Sequence, residues 1–445
     1  IAPIYNEERQ TDGVKLLYHD VETNGIGYVT ALFDLSEIEE ELLPYAGILQ
    51  SVLGIIDTEH YGYGELFNEI NVHTGGIGTS LELYTDVTKV KEKEFRATFE
   101  IKGKALYPKL DVLFAMMREI LMESKLGDEK RLKEILSMLK TRLQTSFLSA
   151  GHTTAVLRSL SYTSPIARFR DITSGIGFYE VVKDLEENFE ERKELLIENL
   201  KKIAGRIFRK ENLMLSYTSA QEGLAVLEKA VPQFADSLHT GEKESHGQCI
   251  IHCKKRNEGF RTSSKVQYVA RTGNFIDGGA EYTGALQILK VILSYDYLWQ
   301  NVRVKGGAYG CMSGFNRIGE GYLVSYRDPN LEKTMEIYEG VVDYLKNFDI
   351  DDRDMNKFII GTISNLDRPM NPAAKGSRSL NLYMNRITEE MIRREREQIL
   401  DAQQEDIRGL ATVLEAVLAA GELCVIGSEE KIEEAKEMFG EIRTL

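Results

Sequence analysis

The sequence predicts an α+β fold of two homologous domains, each an antiparallel sheet covered by helices. Three observations predict it. The chain has 445 residues, too many for one core at roughly 100–200 residues per domain. A stretch without periodicity, 231–247, carries Pro232, two glycines, two histidines and charges, and reads as a linker. The order strand, helix, strand pair, several helices, strand, helix occurs once on each side of it, which is domain duplication rather than a short solenoid repeat. The expected borders are 1–230, a linker at 231–247, and 248–445.

In the first half, Val14 to Leu17 and Gly27 to Phe33 have strand patterns. Ser36 followed by Glu39 is a capping-box signal, and a helix to about Ile56 puts Leu42, Tyr45, Ala46, Leu49, Val52 and Leu53 on one face. A shorter helix runs from Glu65 to Val72. Strands follow at Thr79 to Thr85 and Phe95 to Gly103, then a helix at Leu110 to Glu123. Asp128 to Phe208 is helical apart from breaks near Gly151, Pro165 and Gly175. Leu213 to Thr218 is a strand and Gln221 to Ala230 a helix. In the second half, Ser264 to Ala270 reads as a strand and Thr283 to Gln300 as a helix. Strands lie near Cys311 to Phe315 and Gly321 to Tyr326, and helices start at Asp328, Asp354, Ala373 and Thr388. Leu423 to Ile426 is a strand, and Glu429 to Phe439 a closing helix.

Composition excludes several functions. Hydrophobic residues are 42% and charged residues 28%, as in an ordinary globular chain. A net charge of -15 with no basic block disfavours nucleic acid and anionic membrane surfaces. No apolar run approaches the ~18 residues that span a bilayer. The four cysteines are too few and scattered for a disulfide framework, so a reducing, cytoplasmic setting is expected. The chain opens on Ile1 without a signal-like start, which fits a segment of a longer protein or a trimmed chain.

The stretch Val302 to Gly310 carries the chemistry. Gly306 and Gly307 let the backbone approach a ligand. Arg303 and Tyr309 flank them, and a guanidinium and a phenol can both donate to one oxyanion. The same residues also fit a Gly-rich turn with a surface Arg and a core Tyr. Arg327, ahead of Asp328-Pro329, fits either a ligand contact or a strand-end Arg paired with a carboxylate. Ser36 and Asp328 read as caps. No histidine pair among the seven has metal-ligand helical spacing. His246, Cys249, His252 and Cys253 cluster in sequence, but the last three fall in an expected strand, whose neighbours alternate faces. Gly75-Gly76-Ile77-Gly78 follows a helix and precedes a strand, the reverse of a phosphate loop. No nucleophile elbow or cysteine-protease signature is present.

Val302 to Gly310 followed by Ser325-Tyr326-Arg327-Asp328-Pro329-Asn330, together with Tyr61-Gly62-Tyr63 and Asn71 to Ile77, resembles the C-terminal half of presequence-protease-like zinc metallopeptidases. These belong to the pitrilysin/insulinase family with the inverted His-x-x-Glu-His motif. The resemblance covers the whole chain, one motif per half. It implies the metallopeptidase/LuxS-like fold, with residues 1–230 as a third and 248–445 as a fourth domain. It also implies a zinc-bearing N-terminal half as partner, in the same or a separate chain, closing around an unstructured peptide. Arg303 and Tyr309 match the Arg and Tyr that contact substrate and the tetrahedral intermediate in the family. Gly306, Gly307 and Arg327 lie in the same substrate-contact segments.

The sequence departs from a complete protease within the helix at Ala46 to Leu53. Gly47-Ile48-Leu49-Gln50-Ser51 aligns with the zinc motif, so Gly47, Gln50 and Ser51 would replace both ligands and the base. Glycine and serine supply no imidazole, and glutamine takes no proton. The expectation is therefore a zinc-free half of a metalloendopeptidase, inactive alone, with zinc only in the N-terminal half. An acidic wall favouring basic peptides and a merely soluble surface both fit the net charge. A non-catalytic scaffold subunit of a two-chain processing peptidase is the alternative, and a free peptide-binding module a third.

Overall fold

The computed structural model describes residues 1–445. The first unit opens with strands β1 (Glu7–Thr11), β2 (Val14–Asp20) and β3 (Ile26–Asp34). Helices α1 (Leu43–Val52) and α2 (Tyr63–His73) lead to β4 (Ile77–Tyr84) and β5 (Arg96–Leu106). Then come α3 (Leu110–Met122), α4 (Glu129–Ser149), α5 (Gly151–Leu160), α6 (Pro165–Ser174), α7 (Ile176–Glu187) and α8 (Phe189–Ile207). Strand β6 (Leu213–Ser219) and α9 (Gln221–Ala235) close the unit. The second unit has β7 (Glu258–Thr262), β8 (Tyr268–Asn274), α10 (Ala285–Tyr295), a π-helical turn at Trp299–Val304, β9 (Gly310–Phe315) and β10 (Glu320–Tyr326). Its helices are α11 (Glu332–Glu339), α12 (Val341–Lys346), α13 (Asp352–Leu366), α14 (Pro372–Met384), α15 (Glu389–Leu400), α16 (Gln404–Gly409) and α17 (Ala411–Ala419). Strand β11 (Glu422–Ser428), α18 (Glu429–Glu434) and β12 (Glu441–Thr444) complete it.

Local chemistry explains the helix boundaries. Asp128 accepts from the Arg131 N–H to start α4, and Ser164 accepts from the Ala167 N–H ahead of Pro165 to start α6. Asn371, Thr388 and Ser428 cap α14, α15 and α18 in the same way. The expected breaks near Gly151, Pro165 and Gly175 are all present.

The two sheets have the orders β1-β2-β6-β3-β5-β4 and β12-β7-β11-β8-β10-β9. Without the edge strands β1 and β12 the orders are the same, which bears out the duplication and the α+β class. The sheets are mixed rather than wholly antiparallel. β2 runs parallel to β6, and β7 runs parallel to β11 and β12. β6 and β11 return after long helical excursions, and such crossovers permit parallel pairing that side-chain alternation cannot reveal.

Several boundaries differ from the sequence pattern. Ser36 is no helix cap: its Oγ donates to Asp34 at 2.6 Å, and α1 starts at Leu43. Asp328 accepts from the Asn330 N–H and the Thr334 hydroxyl, but α11 starts only at Glu332. The stretch expected as linker begins inside α9, which continues past Pro232 because Val231, Phe234 and Ala235 are buried; packing outweighs the missing N–H. Residues 236–257 carry no regular element, so Cys249 to Cys253 is not a strand. The Cys249 N–H instead bonds the Ser36 carbonyl at 2.8 Å. β8 starts four residues later than expected because the Thr262 and Ser264 hydroxyls hold a turn at Ser264 and Val266.

The units interlock by exchanging helices. α5 of the first unit lies on β8, β10 and β11 of the second sheet, while α14 of the second lies on β2 and β6 of the first. Phe260, Tyr268, Ala270, Val324, Cys424 and Ile426 of the second sheet therefore join the main core of the first unit. Buried Arg158 of α5 donates to Glu258 of β7 (2.7 and 3.0 Å) and to Asp171 of α6 (2.6 Å). Burial alone would raise the Glu258 carboxyl, but the Arg158 and Arg443 guanidiniums outweigh it and hold it below the usual carboxylate value.

Candidate functional site

The end of α10 builds the site around Arg303. After Asp296 the chain winds into the π-helical turn Trp299–Val304, and the Lys305 N–H reaches the Gln300 carbonyl at 3.0 Å. Single π turns of this kind are frequent at functional sites. Gly306 must lack a side chain, because a Cβ there would lie 2.5 Å from the Val302 carbonyl oxygen. Gly307 has φ +86°, which favours glycine. Its N–H donates to the Arg303 carbonyl at 2.8 Å, and the Ala308 N–H to Val302 at 3.1 Å. The Asn330 side chain donates to the Gly306 carbonyl at 2.6 Å, and Asn330 is itself held by buried Asp328. Backbone geometry thus requires both glycines, and the Arg327-to-Asn330 segment buttresses the turn.

This frame brings Arg303 and Tyr309 together. The Arg303 guanidinium stacks on the Trp299 ring at 4.2 Å and lies 5.8 Å from the Tyr309 ring centre. No carboxylate pairs with Arg303 within 4 Å, and the Tyr309 hydroxyl has no hydrogen-bond partner although the residue is 66% exposed. Tyr309 is therefore not a core tyrosine. Tyr326 packs 5.9 Å from Tyr309, and the Arg327 guanidinium lies 5.4 Å from Tyr326. Arg327 has φ +47° and no carboxylate partner, so the strand-end ion pair is absent. The strip thus presents the Arg303 guanidinium and the Tyr309 phenol uncommitted, while the Arg327 guanidinium interacts with the Tyr268 hydroxyl. His152 of α5 packs edge-on against Tyr326 at 4.9 Å, and the Tyr326 hydroxyl donates to the Ser149 carbonyl at 3.2 Å, so the first unit supports the strip from beneath.

The sequence pattern alone does not single out Trp299. A signal for it exists: it is the chain's one tryptophan and stands four residues before Arg303, the spacing that stacks side chains on a helical turn.

The residues Gly47, Gln50 and Ser51 do not fit a zinc ion. A Cβ at Gly47 would lie 2.5 Å from the Thr173 carbonyl oxygen and 2.7 Å from the Phe178 ring, so no imidazole can project there. The Gln50 amide donates to the Thr79 carbonyl at 3.0 Å on β4, and Ser51 donates to the Gly47 carbonyl at 2.9 Å. The Gln50 amide N–H and the Ser51 hydroxyl are thus both spent within the fold. No group of three His, Cys, Asp or Glu side chains converges anywhere in the chain. His252 pairs with Glu40 at 2.8 Å, and His246 lies 3.3 Å from Glu244 and 3.6 Å from Glu39. Burial pushes the Cys249 thiol up to about 11. No helix is long and apolar enough to cross a membrane.

Residues 2–185 match the family described as associated with peptidase M16, subfamily C, and residues 257–429 match the PreP C-terminal domain. The chain is 37% identical over 444 residues to Protein HypA of Clostridium perfringens (strain 13 / Type A), covering 99% of this chain and 45% of that protein. It is 30% identical over 426 residues to Presequence protease 1, chloroplastic/mitochondrial, of Arabidopsis thaliana, covering 95% and 39%. The chain thus spans less than half the length of these curated relatives. In fold it is similar to a peptidase M16 inactive domain from Pseudomonas fluorescens (TM-score 0.64, 12% identity, 95% of this chain and 98% of that one). A protease from Helicobacter pylori is similar to the same degree (TM-score 0.63, 14% identity, 95% and 99%).

Proposed function

We propose that this chain, which belongs to the M16 peptidase family and corresponds to the C-terminal half of its presequence-protease-like members, supplies the substrate contacts of a metalloendopeptidase that degrades unstructured peptides. The observation that carries the reading is the uncommitted guanidinium of Arg303 beside the uncommitted hydroxyl of Tyr309. Two donors held on one rigid turn can meet the carbonyl of a bound peptide as negative charge develops on its oxygen. Arg303 brings a fixed charge and Tyr309 a neutral hydrogen bond. Trp299 holds the guanidinium in place, and Arg327 extends the donor row for a longer backbone. Gly306 and Gly307 keep the surface low enough for that backbone to approach.

Water activation belongs, in this reading, to a zinc-bearing N-terminal half, because α1 offers no ligands that fit the metal. Closure of one half on the other would complete the site and exclude solvent. A reducing, cytoplasm-like compartment is part of the same proposal, since all four cysteines are free.

The test is turnover of a long unstructured peptide by the full-length protein carrying Arg303→Ala or Tyr309→Phe. Each change is expected to lower kcat about 10²–10³-fold with zinc content unchanged. Wild-type rates in both variants would remove the assigned roles and favour the scaffold reading.

A further inference from the structure

The faces that the two sheets turn toward the opposite unit are finished differently. The second sheet's is sealed under α5, and its buried polar groups Glu258 and Thr272 are bonded to Arg158 and Ser159 of that helix. On the first sheet, α14 seats by Leu380 on a patch of only four residues, Leu17, Leu32, Tyr84 and Met214. Beyond that patch the face is polar, and a cavity of about 390 Å³ opens between it and α14. That volume is in the range of small-ligand pockets.

Glu100 of β5 lines this cavity, and its side chain is 1% exposed. Its Oε2 accepts from the Tyr84 hydroxyl at 2.6 Å and the Thr98 hydroxyl at 2.7 Å. Its Oε1 has no hydrogen-bond partner. Directly opposite, on the edge strand β4, Ser80 carries a second buried oxygen without a partner. Glu82 lies two residues further along the same strand and also lines the cavity. The Lys102 ammonium stands 3.7 Å from Glu100 and 3.8 Å from Glu82, too far to donate to either, on a side chain that is half exposed. A buried carboxylate oxygen without a donor is costly, and native structures rarely leave one. Neither face packing nor the Arg303 strip makes use of it.

We propose that this cavity binds a guanidinium or primary ammonium group, with Glu100 Oε1 and the Glu82 carboxylate as its acceptors and Lys102 turned outward to admit it. The group has N–H donors to satisfy the unpartnered Glu100 oxygen. The lining carries two carboxylates, Glu82 and Glu100, and two ammoniums, Lys102 and Lys104, so the cavity keeps one net negative charge once Lys102 has turned outward. The site stands on its own geometry. Its assignment to a basic side chain of a peptide rests on the function proposed above.

The test uses the present chain and a small probe, N-acetyl-arginine amide, titrated calorimetrically beside its uncharged citrulline counterpart. Wild type should prefer arginine by at least about tenfold, as charge-assisted hydrogen bonds to a buried carboxylate require. Glu100→Gln, which keeps shape and can still accept from Tyr84 and Thr98, should abolish that preference. Lys102→Met should tighten arginine binding several-fold by removing the competing cation. Absence of arginine binding, equal affinity for both probes, or unchanged affinity in Glu100→Gln would overturn the proposal. If Glu100→Gln does not fold, Lys102→Met decides: tighter binding supports the site, and unchanged or weaker binding refutes it. None of these readings depends on turnover at Arg303, so the two proposals can fail separately.

Discussion

Replacing Gly47 by alanine is expected to destabilise the first unit by about 2 kcal/mol. In an open helix the same change would help by about 1 kcal/mol, because alanine has the higher helix propensity. Here the new methyl would lie 2.5 Å from the Thr173 carbonyl oxygen on α6 and 2.7 Å from the Phe178 ring on α7. The first obstacle is backbone and cannot rotate away, so the overpacking cost falls near the top of its usual range, about 3 kcal/mol. The difference is a net loss of about 2 kcal/mol, which lowers the melting midpoint of a unit this size by about 4–8 °C. Circular dichroism of wild type and Gly47→Ala over a thermal ramp measures it. The same geometry forbids rebuilding a metal site. A triple variant Gly47→His, Gln50→Glu, Ser51→His should bind no stoichiometric zinc by elemental analysis. An alanine variant as stable as wild type, or a triple variant with one tightly held zinc, would refute the steric reasoning.

Other consequences follow from buried polar groups. Arg158→Met strands Glu258 and Asp171 in the core with only Arg443 and Arg168 beside them, so a loss of about 3 kcal/mol in urea unfolding is expected, the lower end for a broken buried pair; a neutral result would show the network to be slack. His19 is fully buried between the Tyr5 carbonyl (2.5 Å) and the Ser216 hydroxyl (2.7 Å), and burial lowers it to about 4. The unfolded chain therefore takes up a proton below its ordinary value near 6.5 while the folded one does not. Stability should fall as pH drops from about 6.5 toward about 4, by about 2 kcal/mol at about pH 5, and the slope should flatten in His19→Gln. A slope in that variant as steep as in wild type would assign it to other groups.

The duplication is readable in the sequence because its strongest elements are long and periodic, such as the α4-to-α8 run and α10. The edge strands are not. β1 (EERQT) and β12 (EIRT) are polar and short, as edges exposed to solvent are. Strand direction is also invisible to alternation, so the parallel β2–β6 and β7–β11 pairs emerge only in three dimensions. At the candidate site the chemistry-bearing pair, Arg303 and Tyr309, can be picked from residue types around two glycines. Their platform cannot, because His152, Tyr268 and Tyr326 come from three distant segments. Gly47 shows the converse. In sequence it offers no metal ligand, but only the packing of α1 on α6 and α7 explains why nothing larger stands there.

The exchange of α5 and α14 has a consequence for how the chain holds together. Each unit buries part of itself under a helix donated by the other, as two subunits of a symmetric dimer do. Residues 236–257, which join the units, form no regular element, and the join is therefore a tether more than a hinge. A protein nicked there should remain a single particle under native conditions and come apart only when denatured. The two units behave as a dimer whose subunits happen to share one peptide chain.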